Sequence, residues 1–269
     1  AVAQPVAVDG QPIVLSASIG IAMFPGDAQD MTSLTGCAEQ AARVAADAGG
    51  AQHKFFDEAL NARARDRVAL ETELRQAIQA GQLCLHYQPK VDARSGRLLG
   101  AEALVRWQHP QRGLIPPGHF IALAEESGLI SPLTDWVLHA ACRSLRRWSD
   151  RGLPSLPLSV NLPASSLADS GLLDQLEGLM RHYGLHPSCL MLELTETMVM
   201  RDVAMAIGVL DSLRAKGFGL SLDDFGTGYS SLAYLKRFPV GKLKIDRSFV
   251  NDLETDPDDW AIASTIVSM

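Results

Sequence analysis

The chain has 269 residues, of which 47% are apolar, so it can bury a substantial core as one large domain or two smaller ones. Its net charge of −7, from 24 Lys and Arg against 31 Asp and Glu, leaves no basic stripe and argues against a duplex nucleic acid as partner. The four cysteines are far apart and form no Cys-x-x-Cys motif, which argues against a disulfide or zinc framework and favours reduced thiols in a cytoplasmic protein.

No apolar run reaches the roughly 18 residues that a membrane-spanning helix needs, and no signal peptide is apparent. We therefore predict a cytoplasmic protein without a membrane span in this chain. An N-terminal anchor outside the chain is compatible with this prediction.

The first 57 residues predict a small α/β segment. A strand is expected over 11–24, an alanine-rich helix over 31–48 that Gly49-Gly50 ends, and a short strand over 54–56. These elements are too few for an independent domain. We interpret residues 1–57 as the C-terminal part of a domain.

Residues 58–81 predict a linker helix that Gly81 ends. Leu70, Leu74 and Ile78 form one apolar stripe, and the remaining positions carry mixed charges. The charged face is either ordinary solvated surface or a contact for a partner helix.

From residue 82 onward the sequence alternates between strand and helix patterns. The predicted strands cover 83–91, 98–107, 156–162, 189–194, 220–225 and 242–245. The predicted helices cover 117–126, a long segment that begins with Ser131 as N-cap and Pro132 at the first helical position, 168–183, 201–215, 229–237 and 257–269. This alternation predicts an α/β fold with a parallel sheet and helical crossovers.

Polar side chains stand at the ends of several of these apolar runs. Asp223-Asp224 precedes a glycine turn, and the other runs end near Glu102, Asn161, Glu193 and Glu196. One adjacent Asp pair alone is more often a solvated turn or a helix cap. Its repetition at several strand ends favours a site for hard cations, of which two, about 3.5–4 Å apart, promote phosphoryl transfer.

Two architectures place such groups together. A (β/α)8 barrel carries its active site at the carboxyl ends of its strands, and an open doubly wound sheet also binds ligands there. The open sheet would gather them at one switch point, and no Gly-x-Gly-x-x-Gly or Walker motif supports it. Only six strands are predicted over 82–269, two fewer than a closed barrel needs.

Six sequence blocks carry a family resemblance. They are Tyr87-Gln88-Pro89, Glu102-Ala103-Leu104, Ser159-Val160-Asn161-Leu162, Glu193-Leu194-Thr195-Glu196-Thr197, Asp223-Asp224-Phe225-Gly226-Thr227-Gly228-Tyr229-Ser230-Ser231 and Leu243-Lys244-Ile245-Asp246. Through these blocks, residues 82–269 resemble the EAL family of cyclic-di-GMP phosphodiesterases. The resemblance implies a TIM-like (β/α)8 barrel of the EAL type.

The resemblance implies a role for each matching residue. The residues that match ligands of the first divalent ion are Glu102, Asn161, Glu193 and Asp223. Asp223 and Asp224 match ligands of a second ion, and Lys244 matches a lysine that contacts the attacking water. Glu196 matches a glutamate that holds the Asp-Asp loop, and a hydrogen bond from it to the loop backbone or to Thr227 is expected. The residues that match substrate contacts are Gln88, Leu104 and Arg106.

The implied reaction is hydrolysis of cyclic di-GMP to linear pGpG with two Mg²⁺ or Mn²⁺ ions, in bacterial second-messenger signalling. A catalytically silent cyclic-di-GMP receptor and a protein-interaction module are the alternatives. Taken singly, Lys244 could be a surface lysine, Arg106 part of a rim ion pair and Gln88 a loop hydrogen-bonder. The resemblance also implies a homodimer through the loop after Asp224.

The chain departs from the family pattern at both ends. It reaches Met269 before the family's next metal-binding glutamate, so we expect a barrel without its last strands and a longer native polypeptide. Residues 1–57 resemble the C-terminal half of a GGDEF domain through Ala17-Ser18-Ile19-Gly20-Ile21-Ala22 and the alanine-rich helix. The signature stretch is absent, and Ala46 stands where that family has a phosphate-contacting lysine, so this segment is interpreted as a degenerate remnant.

Overall fold

The computed structural model describes the backbone of residues 6–8, 11–13, 16–226 and 237–268, and the side chains of these residues except those of 6–13 and 58–65. The chain divides into two compact units, residues 1–72 and 73–269. The division falls inside a single helix, α2 (Glu58–Ala80), where the sequence predicts a linker helix. In the second unit, Leu74 and Ala77 of this helix are fully buried.

The described part of the first unit contains two small sheets. β1 (Val6–Val8) pairs antiparallel with β2 (Gln11–Ile13), and β3 (Ile19–Ile21) pairs parallel with β4 (His53–Phe55). Helix α1 (Met31–Asp47) connects β3 to β4. The prediction of one continuous strand over 11–24 is therefore wrong, because its two halves pair with different partners.

In its described residues, the second unit is built on a sheet of seven strands. They are β5 (Leu83–Val91), β6 (Leu98–His109), β7 (Gly113–Ile115), β8 (Leu158–Asn161), β9 (Leu190–Thr195), β10 (Gly219–Phe225) and β11 (Lys242–Ile245). Their order is β11-β10-β9-β8-β6-β5, and β7 pairs with β6. β6, β8, β9, β10 and β11 are parallel, as the alternating pattern predicts.

β5 differs, because it runs antiparallel to β6. Only residues 92–97 separate the two strands, which is too short for the helical crossover that a parallel pair requires. The prediction of a wholly parallel sheet is wrong at this strand.

The described helices of the second unit follow the strands. They are α3 (Ile121–Glu126), α4 (Ile130–Asp150), α5 (Ala164–Leu167), α6 (Leu172–Tyr183), α7 (Glu196–Arg201), α8 (Val203–Ala215), α9 (Ser248–Asn251) and α10 (Pro257–Ser268). A separate 3₁₀ turn, Pro117–His119, precedes α3. The helices predicted over 168–183 and near 201–215 correspond to α6 and α8, which begin at Leu172 and Val203. The predicted helix over 229–237 lies almost entirely outside the described residues.

Helix α4 begins earlier than predicted. Leu129 is its N-cap residue and makes no side-chain cap, so the prediction of Ser131 as N-cap is wrong. Proline is tolerated throughout the first helical turn, because the N–H groups there have no intrahelical acceptor. Pro132 therefore marks the first turn without fixing the first residue.

The core lies between the sheet and helices α4, α6 and α8. On β9, Leu190, Leu192 and Leu194 are fully buried in this core, and Leu158 and Leu220 occupy equivalent positions on their own strands. Alternate strand residues point to opposite faces, so the intervening polar residues face the other side of the sheet. Parallel strands with outer helices and a polar inner face give the fold a TIM-like architecture.

Two further features bear on the second unit. Within the described residues, β5 and β11 form the edges of the sheet. No described helix combines the length and apolar character needed to cross a bilayer.

Candidate metal and active site

Three carboxylates from three strands meet on the polar face of the sheet. Glu102 of β6, Glu193 of β9 and Asp223 of β10 each place an oxygen within 4.8 Å of the others. We call these residues the carboxylate triad. Glu193 is only 1% exposed and Glu102 9%. Glu102 lies within its strand rather than at its end, because β6 continues to His109 and pairs there with β7.

Lys244 of β11 lies at the centre of the carboxylate triad. Its Nζ donates to Glu102 Oε2 at 3.1 Å, Glu193 Oε2 at 2.8 Å and Asp223 Oδ2 at 2.5 Å. Burial alone would lower the pKa of Lys244, but the hydrogen bonds to Asp223 and Glu193 raise it above its ordinary value. Lys244 is therefore a fixed positive charge in contact with all three carboxylates.

A second lysine, Lys90 of β5, was not identified from the sequence. Its Nζ donates to Ser159 Oγ at 2.7 Å and to Glu193 Oε1, and lies 3.9 Å from Glu102 Oε2. Lys90 follows Gln88 by two residues and so shares its strand face. That spacing was the signal in the sequence that could have identified it.

The two lysines determine the charge state of Glu193. Burial raises the pKa of its carboxyl, but hydrogen bonds from Lys244 and Lys90, one to each oxygen, outweigh burial and hold the pKa below its ordinary value. Glu193 is thus an ionised carboxylate whose own side chain is closed to water.

Asn161 and Asp224 stand beside the triad in different ways. Asn161 Nδ2 donates to Glu102 Oε1 at 2.9 Å, which fixes the amide next to that carboxylate. Asp224 has a left-handed backbone with φ of 53°, and its carboxyl interacts with Asp246. Burial, followed by the negative charges of Asp223 and Asp246, raises the pKa of Asp224.

Glu196 controls the backbone directly after the Asp pair. It is buried at the first position of α7, and its Oε2 accepts the Gly226 N–H at 2.8 Å. The predicted hydrogen bond between Glu196 and the loop backbone is confirmed. Thr227, the alternative donor to Glu196 in that prediction, lies outside the described residues.

The three predicted substrate contacts are not equally close to the triad. Gln88, paired with Glu102 across the β5–β6 ladder, lines an open cavity of about 660 Å³ together with Lys90, Asp223 and Lys244. Leu104 instead lines a neighbouring cavity of about 430 Å³ that also includes Asn161.

Arg106 lines neither of these two cavities. It lies four residues beyond Glu102 on β6, roughly 13 Å along the strand. Its guanidinium donates to the Val105 carbonyl at 2.9 Å. Its assignment as a substrate contact remains a prediction.

The donor set of the triad fits a hard divalent cation. All its ligand atoms are carboxylate oxygens, and an amide lies next to Glu102, which is the oxygen chemistry that Mg²⁺ and Mn²⁺ prefer. The ammonium of Lys244 at the centre shows that the triad already stabilises a cation at that point. Asp224 is outside the triad, so the fit concerns one ion.

Comparisons with known proteins agree with this geometry. A family model described as EAL domain matches residues 71–269. The chain is 47% identical over 268 residues to the bifunctional diguanylate cyclase/cyclic di-GMP phosphodiesterase MucR of Pseudomonas aeruginosa, and 42% identical over 266 residues to the cyclic di-GMP phosphodiesterase NbdA of the same organism. It covers 39% and 34% of these two relatives, respectively, and is itself covered to 100% and 99%.

Among solved structures, the PaMucR phosphodiesterase in its c-di-GMP complex superposes with a TM-score of 0.72 at 52% identity. The match covers 74% of this chain and 81% of that one. The second unit thus has the TIM-like fold of the EAL type. With the family model matching most of the chain and the triad on the inner face of this fold, the chain belongs to the EAL domain family.

Proposed function

We propose that this chain carries out metal-dependent hydrolysis of cyclic di-GMP to linear pGpG in bacterial second-messenger signalling. The observation that carries the proposal is the carboxylate triad around Lys244, on the inner face of an EAL-type fold. Relatives named as cyclic di-GMP phosphodiesterases, and a similar structure in a c-di-GMP complex, support the choice of substrate.

Glu102, Glu193 and Asp223 would hold one divalent ion, Mg²⁺ or Mn²⁺, with Asn161 as a neutral oxygen donor beside Glu102. The family resemblance assigns Asp223 and Asp224 to a second ion. When bound, such ions polarise a phosphodiester and make water nucleophilic near neutral pH.

The remaining residues position the substrate and its charges. Lys244 supplies a positive charge beside the reacting phosphate and a donor for the attacking water. Gln88 offers an amide to the substrate from the wall of the larger cavity, and Leu104 an apolar contact from the smaller one. Arg106 is assigned to a phosphate oxygen, for which a guanidinium is the natural donor.

The test measures the rate of cyclic di-GMP turnover by the longest available form of the protein in Mg²⁺ or Mn²⁺. The Glu102→Ala variant is measured under the same conditions. We expect metal-dependent pGpG production that falls by at least about 100-fold in the variant. Even substitution of a residue that only orients a metal ligand typically lowers activity about 10–100-fold, and Glu102 is itself a proposed ligand. EDTA should abolish turnover of the unmodified protein.

Each other outcome selects an alternative. Micromolar cyclic-di-GMP binding without turnover would make the protein a receptor, and absence of binding would favour a protein-interaction module. Turnover that survives in Glu102→Ala would separate the activity from the triad.

We propose residues 1–57 as the C-terminal part of a degenerate GGDEF domain, 58–81 as a linker helix and 82–269 as the EAL domain. The parallel β3–α1–β4 arrangement supports an α/β interpretation of the first segment. A homodimer through the loop after Asp224 and a cytoplasmic location also stay predictions. Analytical ultracentrifugation tests the dimer.

A further inference from the structure

Both carboxylate oxygens of Glu193 are occupied by ammonium groups of this chain. Lys244 donates to Oε2 and Lys90 to Oε1. The Glu193 side chain has no exposed surface, so water cannot compensate its charge. A divalent ion that binds the triad therefore approaches two positive charges that are already in place.

The two lysines differ in position. Lys244 contacts all three carboxylates of the triad and thus lies where a triad-bound cation would lie. Lys90 approaches from the neighbouring strand β5, and its second hydrogen bond goes to Ser159 on β8, outside the triad. A cation can replace Lys244 at the centre while Lys90 keeps its contacts with Glu193 and Ser159.

We propose that Lys90 is a positioning residue that acts as a fixed internal counter-cation, weakening divalent-ion binding by the triad and keeping Glu193 paired when no ion is bound. The inference rests on the proposed metal site. It assigns a role to a residue that belongs to neither the predicted ligands nor the predicted substrate contacts.

The electrostatics determine the sign of the effect. Three carboxylates and two ammonium groups give the cluster a net charge of −1, and loss of Lys90 would make it −2. Coulomb energies at ion-pair distances are large in a partly buried site, so the added negative charge attracts a divalent ion more strongly. One lost hydrogen bond to Glu193 opposes this gain but is the smaller effect.

The decisive experiment is Mn²⁺ titration of the whole chain by calorimetry, without substrate. Lys90→Met should bind Mn²⁺ at least about tenfold more tightly than the unmodified protein, where tenfold corresponds to about 1.4 kcal/mol. Lys90→Arg, which keeps the charge, should stay within about threefold of the unmodified protein.

Lys242→Met is the matched control. Lys242 lines the same cavity and carries the same charge, but it is exposed, and solvent screens its interaction with the triad. Its substitution should change the Mn²⁺ affinity by less than about threefold.

Thermal unfolding gives a second readout. Without metal, Lys90→Met should melt at a lower temperature than the unmodified protein, because buried Glu193 loses a partner. Saturating Mn²⁺ should remove that difference, since the ion then compensates the carboxylate. Lys90→Gln repeats both measurements with a polar side chain.

Three outcomes overturn the inference. Unchanged or weaker Mn²⁺ binding by both uncharged variants would leave Lys90 as an ordinary structural ion pair, while the proposed metal site would stand. If Lys90→Met and Lys90→Gln both fail to fold and saturating Mn²⁺ does not restore folding, Lys90 is likewise an ordinary structural ion pair. Absence of Mn²⁺ binding by the unmodified protein would remove the metal site itself.

Discussion

Glu196 connects two functional segments through one carboxylate. It opens α7 directly after β9, the strand of Glu193, and its Oε2 accepts the backbone N–H of Gly226, two residues after Asp224. A charged acceptor on a backbone N–H is a strong hydrogen bond, and the site is buried. The Glu196 side chain thereby restrains the turn that follows the Asp pair.

We predict that Glu196→Ala weakens cyclic di-GMP hydrolysis by about 10–100-fold, because residues that orient metal ligands typically have effects of this size. The unpaired Gly226 N–H should lower the free energy of unfolding by only about 1–3 kcal/mol. Turnover assays and urea unfolding measure the two effects separately. Glu196→Gln, which keeps an acceptor oxygen, is the control and should retain more activity. Hydrolysis by Glu196→Ala at the unmodified level would show that the loop needs no such restraint.

At the level of elements, the approach of β6 to the segment before β8 positions Glu102. The Ala101 N–H donates to the Pro157 carbonyl at 3.1 Å, and a Cβ at Gly100 would lie 2.6 Å from that same oxygen. The obstacle is backbone, which cannot rotate away as a side chain can. Only glycine therefore allows the two segments to meet at this point, two residues before Glu102.

We predict that Gly100→Ala lowers the free energy of unfolding by about 1–3 kcal/mol, the typical cost of overpacking. It should also weaken Mn²⁺ binding, because displacement of β6 moves Glu102. Urea unfolding and calorimetry measure these effects. Gly178→Ala inside α6 is the control, since its Cβ would meet nothing within 4 Å, and it should be neutral or stabilising by about 0.5–1 kcal/mol. Equal stability of the two variants would contradict the argument.

At the scale of the whole molecule, the buried charge cluster links global stability to pH. The pKa of Glu193 is lower in the folded protein than its ordinary value of 4.5. Its contribution to stability is therefore fully present above about pH 4.5 and is lost as pH falls through the lower folded pKa. Unfolding releases Glu193 from both lysines at once, so the effect belongs to the global transition.

We predict that metal-free protein loses stability as the pH falls below about 4.5, and that Glu193→Gln loses less over the same interval. The variant cannot take up the proton that the unfolded state of the unmodified protein binds at this position. Urea unfolding in EDTA across this range gives both curves. Other carboxylates with lowered pKa, such as Asp92, titrate in both proteins and cancel in the comparison. Parallel curves would show that Glu193 does not couple folding to pH.

The sequence by itself determined the alternation of strands and helices in the described part of 82–269, and it identified the three carboxylates of the triad and Lys244. Period-two alternation on the central strands separates Leu192 from Glu193 and Leu222 from Asp223, so it assigns the carboxylates to the face opposite the helical core. Gly184, in the left-handed conformation at φ 62°, ends α6 where the sequence predicts a stop. These features are local, and a short stretch of chain is enough to specify them.

Only the tertiary structure decided which elements meet. The short connection over 92–97 already requires an antiparallel β5–β6 pair, but only the folded sheet shows that this pairing brings Lys90 onto Glu193. The same holds for Arg106, which shares a strand with Glu102 but lies away from the triad's cavity. Periodicity specifies the face of one element, whereas contacts between distant residues depend on how the elements pack, and that packing brings Lys90 and Lys244 onto the two oxygens of Glu193.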